Sequence, residues 1–121
     1  MNGNDFVSLL LSDFPALTSD VHEHDGLLHV QMGVFAQHTQ SAIATGDMQI
    51  LDRCFALAHH GFRDADSDLK NAFYVSYLEH LDFTGTHGAA SKRRMTPLLQ
   101  AGFTEIMDYM DQLSQSSKKP K

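Results

Sequence analysis

The sequence has little with which to crosslink the chain or to bind zinc through sulfur. Cys54 is the only cysteine, and tryptophan is absent, so that eight phenylalanines supply most of the aromatic bulk. A single cysteine excludes an internal disulfide and the multi-cysteine zinc ribbons, and it is typical of proteins from reducing compartments. We therefore expect a cytoplasmic protein.

Cations are missing from the first part of the chain. The first 52 residues carry seven acidic side chains and no lysine or arginine, whereas the remainder carries nine cations and eight acids. The net charge of −6 therefore arises in the N-terminal part. Because a surface of one sign attracts partners of the opposite sign, this distribution favours a basic protein as the partner and disfavours nucleic acid.

Long apolar runs are missing as well. No apolar stretch approaches the ~20 residues that a membrane-spanning helix needs, and the N-terminal segment lacks the basic start and the cleavage site of a signal peptide. We expect no membrane association, and we expect the mature chain to be the whole chain. The length of 121 residues is typical of one domain that buries a core without disulfides.

The apolar positions recur with the period of a helix and nowhere alternate convincingly as in a strand, which predicts an all-α, single-domain bundle of about five helices. Capping residues and helix breakers predict where the helices begin and end. The predicted helices run from Asn4 or Asp5 to Pro15, over about 27–45, from Asp47 to a break at Gly61, over about 67–82, and from Pro97 to Leu113.

The fourth of these helices, about 67–82, is apolar over more than half of its circumference, which is typical of a helix at the centre of a bundle. The second and third helices are joined by so short a link that they should form an antiparallel hairpin. Residues 84–90 are expected to form a flexible loop. The helical domain is predicted to cover 1–113, and 114–121 to form a mobile polar and basic tail.

Eight histidines suggest a metal site, so their spacing matters. A site on a helix needs ligands three or four residues apart. His22 and His24 lie two residues apart and His59 and His60 are adjacent, so neither pair projects from one helix face. His60 and Asp64 have the right spacing, but the predicted helix break separates them. No metal and no other cofactor is therefore predicted.

Three acids, Asp64, Asp66 and Asp68, resemble the start of a calcium-binding loop. Such a loop needs glycine at its sixth position and a bidentate glutamate at its twelfth, where this sequence has Leu69 and Val75. The sequence therefore favours an acidic cluster at a helix N-terminus. Three carboxylates on a loop are also suited to contact arginine and lysine side chains of a partner.

No residue is predicted to be catalytic. Cys54 lies on a stripe of core residues, where a reactive thiol is not expected, and the sequence contains no nucleophile elbow, dinucleotide-binding or phosphate-loop motif. Glu79 lies on the most apolar predicted helix. It is expected to accept hydrogen bonds there, to contact a partner, or to have a perturbed pKa suited to acid–base chemistry.

The cations of residues 92–94 and 118–121 form two separate patches. They lack the interleaved aromatic side chains that are typical of nucleic-acid surfaces, and the chain as a whole is acidic. The pattern therefore favours solvated charges of a loop and a tail over phosphate contacts.

Three segments resemble one family of small bacterial helical proteins. Its members have a hydrophobic-x-x-Phe-Pro segment, a Gly-Asp helix hairpin and a Val-Ser-Phe-Leu-Glu-x-Leu helix, and Tyr77 stands here in place of the usual Phe. The resemblance covers about Phe6–Leu113 and is carried by FVSLLLSDFPAL (Phe6–Leu17), AIATGDMQILDRCF (Ala42–Phe55) and NAFYVSYLEHL (Asn71–Leu81). Such proteins are similar to immunity proteins of polymorphic Rhs and contact-dependent toxins. The resemblance implies inhibition by binding and no catalytic residues.

The predicted function is therefore that of an immunity protein that binds a cognate toxin and occludes a basic active site. The alternatives are a non-catalytic adaptor and a histidine-based, metal-dependent enzyme or sensor. The predicted partner-binding residues are the acids Asp20, Glu23, Asp25, Asp64, Asp66, Asp68 and Glu79.

Overall fold

The computed structural model describes residues 1–118, and it describes side chains as far as Ser114. Over this part of the chain the fold is all-helical, as predicted, with seven α-helices, two 3-10 helices and no strand. The α-helices are α1 (Gly3–Asp13), α2 (Thr18–His22), α3 (Leu28–Thr45), α4 (Met48–Asp64), α5 (Ser67–Ser76), α6 (Gly88–Lys92) and α7 (Pro97–Lys118), and the 3-10 helices are Pro15–Leu17 and Leu78–His80.

The predicted number of about five helices is too low because α2 and α6 were not expected. Each has five residues, too few to be stable alone or to produce a helical period in the sequence. Tertiary packing stabilises them instead. Val21 of α2 is fully buried, and Gly88 and Ser91 of α6 are buried as well. The sequence predicts a flexible loop over 84–90, so the start of α6 corrects that prediction.

Side chains cap most of the long helices. Asn2, and not Asn4 or Asp5, caps α1 and forms a reciprocal capping box with Asp5. Asp47, Asp66 and Thr96 accept hydrogen bonds from the backbone N–H groups of Ile50 (3.2 Å), Leu69 (3.0 Å) and Leu99 (3.3 Å) at the starts of α4, α5 and α7. The three helices begin where the sequence predicts, because a cap depends on neighbouring residues alone.

The hairpin of α3 and α4 is present: Gly46 ends α3 with a left-handed φ of 73°, and the two helices pack together. The predicted break at Gly61 is wrong. Helix α4 continues through Gly61 to Asp64, and a Cβ atom on Gly61 would lie 2.6 Å from the Phe6 ring and 2.8 Å from the Phe73 ring. The glycine is thus suited to close packing of α1 and α5 on α4.

The predicted central helix over about 67–82 is also wrong. Helix α5 ends at Ser76, Tyr77 has non-helical dihedrals (φ −123°, ψ −71°), and a 3-10 turn follows. The reason is the position of Tyr77, whose ring stacks on Phe35 at 4.6 Å while its hydroxyl lies 2.9 Å from Thr39 Oγ1. The central position belongs to α3, which packs against α1, α2, α4, α5 and α6.

The core is aromatic where α1, α3 and α5 meet. Phe6 contacts Phe35 and Phe73, and Phe73 contacts Tyr77, with ring centroids 4.9–5.9 Å apart. Tilted and edge-to-face pairs of this kind stabilise a core by about 0.5–1.5 kcal/mol each beyond the area that they bury.

The predicted boundary at residue 113 lies inside α7, which continues to Lys118. Residues 119–121 of the predicted tail lie outside the described residues, and its mobility stays a prediction. No helix in the described range is both long enough and apolar enough to cross a membrane.

We expect Gly61→Ala to destabilise the protein. A methyl group in contact with two buried rings costs more, about 1–3 kcal/mol, than the gain of about 1 kcal/mol from the better helix propensity of alanine. The matched control is Gly33→Ala in α3, where a Cβ atom meets nothing within 4 Å. Urea unfolding should show a lower midpoint for the first variant and a higher midpoint for the second; a higher midpoint for both would contradict the packing.

We also expect Thr39→Val to cost more than Tyr77→Phe. Removing Thr39 Oγ1 leaves the fully buried Tyr77 hydroxyl without its partner, at about 1–3 kcal/mol, whereas Thr39 still donates to the Phe35 carbonyl when the tyrosine hydroxyl is removed. The double variant should cost less than the sum of the single variants in a denaturation cycle. Strict additivity would show that the two hydroxyls do not interact.

Candidate functional site

The predicted N-terminal acids lie at α2 and the turn that follows it. Asp20 is in the first turn of α2, and Asp20, Glu23 and Asp25 are all exposed. Asp25 has a local partner, because one of its carboxylate oxygens lies 3.0 Å from Nδ1 of His22. The chain then turns at Gly26, whose positive φ of 81° suits glycine.

The second predicted acidic group lies between α4 and α5, where two of its members have local roles. Arg63 donates to both carboxylate oxygens of Asp64, at 3.0 and 3.1 Å, and these bonds hold the pKa of Asp64 below its usual value. Asp66 caps α5. Asp68 is exposed in the first turn of α5, and its carboxylate makes no hydrogen bond or ion pair with another described residue.

Two open grooves place members of the second acidic group beside the turn that follows the first group. The α1–α5 groove is lined by Asn2, Gly3, Asn4, Gly26, Leu28, Gln31, Asp66 and Asp68. The α3–α5 groove is lined by Gly26, Leu27, Leu28, His29, Val30, Asp68 and Asn71. Asp66 and Asp68 therefore lie beside the turn that follows Asp25, whereas Asp20, Glu23, Asp25 and Asp64 line neither groove.

The start of the chain also contacts this junction. The Met1 amino group donates to the Asp64 carbonyl at 2.6 Å, and the Asp66 N–H donates to the Met1 carbonyl at 2.8 Å. These bonds hold the start of α1 against the link between α4 and α5, so the α1–α5 groove has a defined shape.

Glu79 is not part of these grooves. It lies in the 3-10 helix Leu78–His80 and is partly exposed, and its carboxylate makes no hydrogen bond or ion pair with the described residues. The expected structural hydrogen bonds to Glu79 are therefore not formed within this part of the chain.

Cys54 is unsuited to act as a nucleophile. Its side chain is fully buried, and burial raises the pKa of the thiol to about 11, although the hydrogen bond with Thr39 and the charge of Arg53 oppose the rise. The thiol is therefore protonated at neutral pH, whereas a reactive cysteine needs the thiolate.

Several histidines have structural partners. Nδ1 of His29 lies 2.7 Å from Ser76 Oγ, and Nδ1 of His59 lies 2.8 Å from the hydroxyl of Thr96, which caps α7. His38 packs edge-on against Phe14, and burial lowers its pKa, with a smaller contribution from Arg53. The described side chains include no group of three or more His, Cys, Asp or Glu residues that could hold a metal ion.

Apolar side chains at the surface were not predicted. The exposed large hydrophobic residues of the described part are Leu27 (55%), Val30 (44%), Tyr109 (56%), Met110 (37%) and Leu113 (46%). The sequence places Met110 and Leu113 on one apolar face of the last predicted helix, together with Leu99, Phe103 and Ile106. The sequence carries no signal of their exposure, because the exposure depends on α5, which is shorter than the helix predicted over 67–82.

A third open groove, the α5–α7 groove, joins this apolar surface to α5. It is lined by Asn71, Tyr74, Val75, Glu105, Ile106 and Tyr109. It shares Asn71 with the α3–α5 groove. The hydroxyl of Tyr74 donates to Glu105, and burial together with this carboxylate raises the pKa of Tyr74 to about 12.

One protein family matches almost the whole chain. Its model covers residues 7–116, and its description reads "Domain of unknown function (DUF7674)". No curated protein and no solved structure matches the chain. The description gives no activity or partner, so the resemblance to immunity proteins remains a prediction. Because the match covers far more than half of the 121 residues, the chain belongs to the DUF7674 family.

Proposed function

We propose that this protein is an immunity protein, which binds a cognate bacterial toxin and covers a basic active site. The observation that carries the proposal is the absence of lysine and arginine from the first 52 residues, which hold seven acids. Toxins that act on nucleic acids or nucleotides need cationic clefts for phosphate groups, and an acidic surface is complementary to such a cleft.

The described surface supports the proposal at the junction of α1, α3 and α5. Asp68 is exposed there beside two open grooves, and Asp66 lines one of them. Charges of this kind accelerate encounter with a cationic partner, while side chains that enter the grooves would slow dissociation. Inhibition in this form needs no reaction by the protein itself.

The first test is co-expression with the product of the neighbouring gene, which the proposal expects to be the toxin. The protein should restore growth and co-purify with that toxin as a stoichiometric complex. Co-purification without rescue of growth would favour an adaptor. The absence of both co-purification and rescue would contradict the proposal.

Raising the salt concentration from about 0.05 to about 0.5 M should slow association of the protein with the toxin, because exposed charges are screened.

Charge reversal tests the contact surface. We expect Asp68→Lys to weaken toxin binding by about tenfold, because it places a cation at the shared edge of two grooves. Asp64 and Asp66 are unsuited to this test, since one pairs with Arg63 and the other caps α5. Binding should be measured by calorimetry on variants with unchanged helical circular dichroism.

The matched control is Asp13→Lys, which changes the net charge by the same amount at an exposed site that lines none of the described grooves. A cation near the C-terminus of α1 is compatible with the helix dipole. Equal effects of Asp13→Lys and Asp68→Lys would show that binding depends on net charge alone and would remove this surface from the proposal.

A further inference from the structure

The apolar stripe of α7 continues beyond the part of the helix that packs on the bundle. Leu99 and Ile106 are buried, and Phe103 and Met107 are partly buried against the core. One turn later the side chains emerge, and Tyr109, Met110 and Leu113 are exposed. Tyr109 and Leu113 are four residues apart and therefore lie on the same face of α7.

A second exposed apolar group lies at the start of α3. Leu27 and Val30 line the α3–α5 groove, and the α5–α7 groove includes Val75 and Tyr109. Helix α5 packs against both α3 and α7, and Asn71 of α5 lines both grooves. The two apolar groups therefore border one surface. We call it the α5 strip, and its members are Leu27, Val30, Asn71, Val75, Tyr109 and Leu113.

The border of the α5 strip is acidic. Asp68 lies in one groove, and Glu105 lies in the other. Helix α3 contains no charged residue, and α7 contains no lysine or arginine before Lys118. Lys70 is the cation of α5, and its Nζ atom lies 5.8 Å from the centroid of the Phe62 ring. Phe62 belongs to the buried core.

This charge distribution selects the occupant. A symmetric dimer would place the acidic border of one copy, with Asp68 and Glu105, against the equally acidic border of the other, and like charges across an interface are costly. The grooves are open, whereas small-molecule sites bury most of the ligand. A cationic protein segment with apolar side chains matches both the apolar surface and its border.

We propose that the α5 strip binds an amphipathic, cationic helix of a partner protein. Its apolar side chains would cover Tyr109 and Leu113 and enter the two grooves, and its lysines or arginines would pair with Asp68 and Glu105, which line those grooves. A helix is the expected form because the exposed residues of α7 form a helical ridge, against which another helix packs. This inference rests on the proposed function in one respect, that the partner is the toxin.

The binding test does not need the toxin. The probe is a synthetic, fluorescently labelled helix of about 18 residues with leucine on one face and lysine on the other. The full chain should bind this probe saturably. It should bind two control peptides less tightly, one with serine in place of leucine and one with glutamate in place of lysine. Equal binding of the serine peptide would overturn the proposal, because charge alone would then suffice.

The double variant Tyr109→Ser/Leu113→Ser should bind the probe at least about tenfold more weakly, since apolar anchors carry most of the energy of such contacts. The matched control is Ala101→Ser/Thr104→Ser, which changes two exposed residues of α7 outside the strip. Both variants should keep their helical circular dichroism because they change exposed positions. Equal weakening in the two variants, or none in the first, would overturn the proposal.

Hydrogen exchange of the unmodified protein tests the same surface without any substitution. Addition of the probe should slow exchange in α5 and in the second half of α7, and protection elsewhere alone would overturn the proposal. Sedimentation of the protein alone tests whether a second copy of the chain occupies the strip instead. A dimer that is lost in the Tyr109→Ser/Leu113→Ser variant would assign the strip to a second copy.

The two proposals fail in different ways. Full toxin binding by the Tyr109→Ser/Leu113→Ser variant would contradict the role of the α5 strip and leave the immunity function intact. Binding of the probe to the strip, together with absence of any complex with the toxin, would contradict the immunity function and retain the preference of the strip for a cationic helix.

Discussion

The contact of Tyr77 with α3 is the interaction on which the rest of the structure depends. The ring stacks on Phe35 and meets Phe73 edge-on, and the hydroxyl pairs with Thr39 in a fully buried site. Because Tyr77 turns into the core, α5 ends after ten residues. A helix this short leaves the second half of α7 uncovered, and the exposed apolar residues and the α5–α7 groove follow from that.

The surface around α5 combines two properties that are usually separated in a small protein. Exposed apolar side chains are costly to leave in water, and acidic side chains keep such a surface from pairing with itself. Electrostatic attraction can accelerate encounter with a cationic partner, and apolar contacts then determine how long the complex lasts. Neither property requires a reactive side chain, and the buried, protonated Cys54 is unsuited to supply one.

Local chemistry could be read from the sequence, whereas long-range packing could not. The caps at Asp47, Asp66 and Thr96 and the left-handed Gly46 were predictable because each depends on residues within one helical turn. The continuation of α4 through Gly61 was not, since glycine breaks some helices and allows close packing in others. Contacts with Phe6 and Phe73, which are 55 and 12 residues away, decided that case.

The sequence by itself determined the helical class, the bounds of α3, the starts of α4, α5 and α7, and the concentration of negative charge in the first 52 residues, because composition, helical period and local caps are properties of the chain alone. Only the tertiary structure decided which acids have local partners, that Asp68 meets the turn at Gly26, and that Tyr109 and Leu113 reach the surface. The physical reason is burial: whether a side chain is covered depends on the lengths and positions of helices that are distant in sequence.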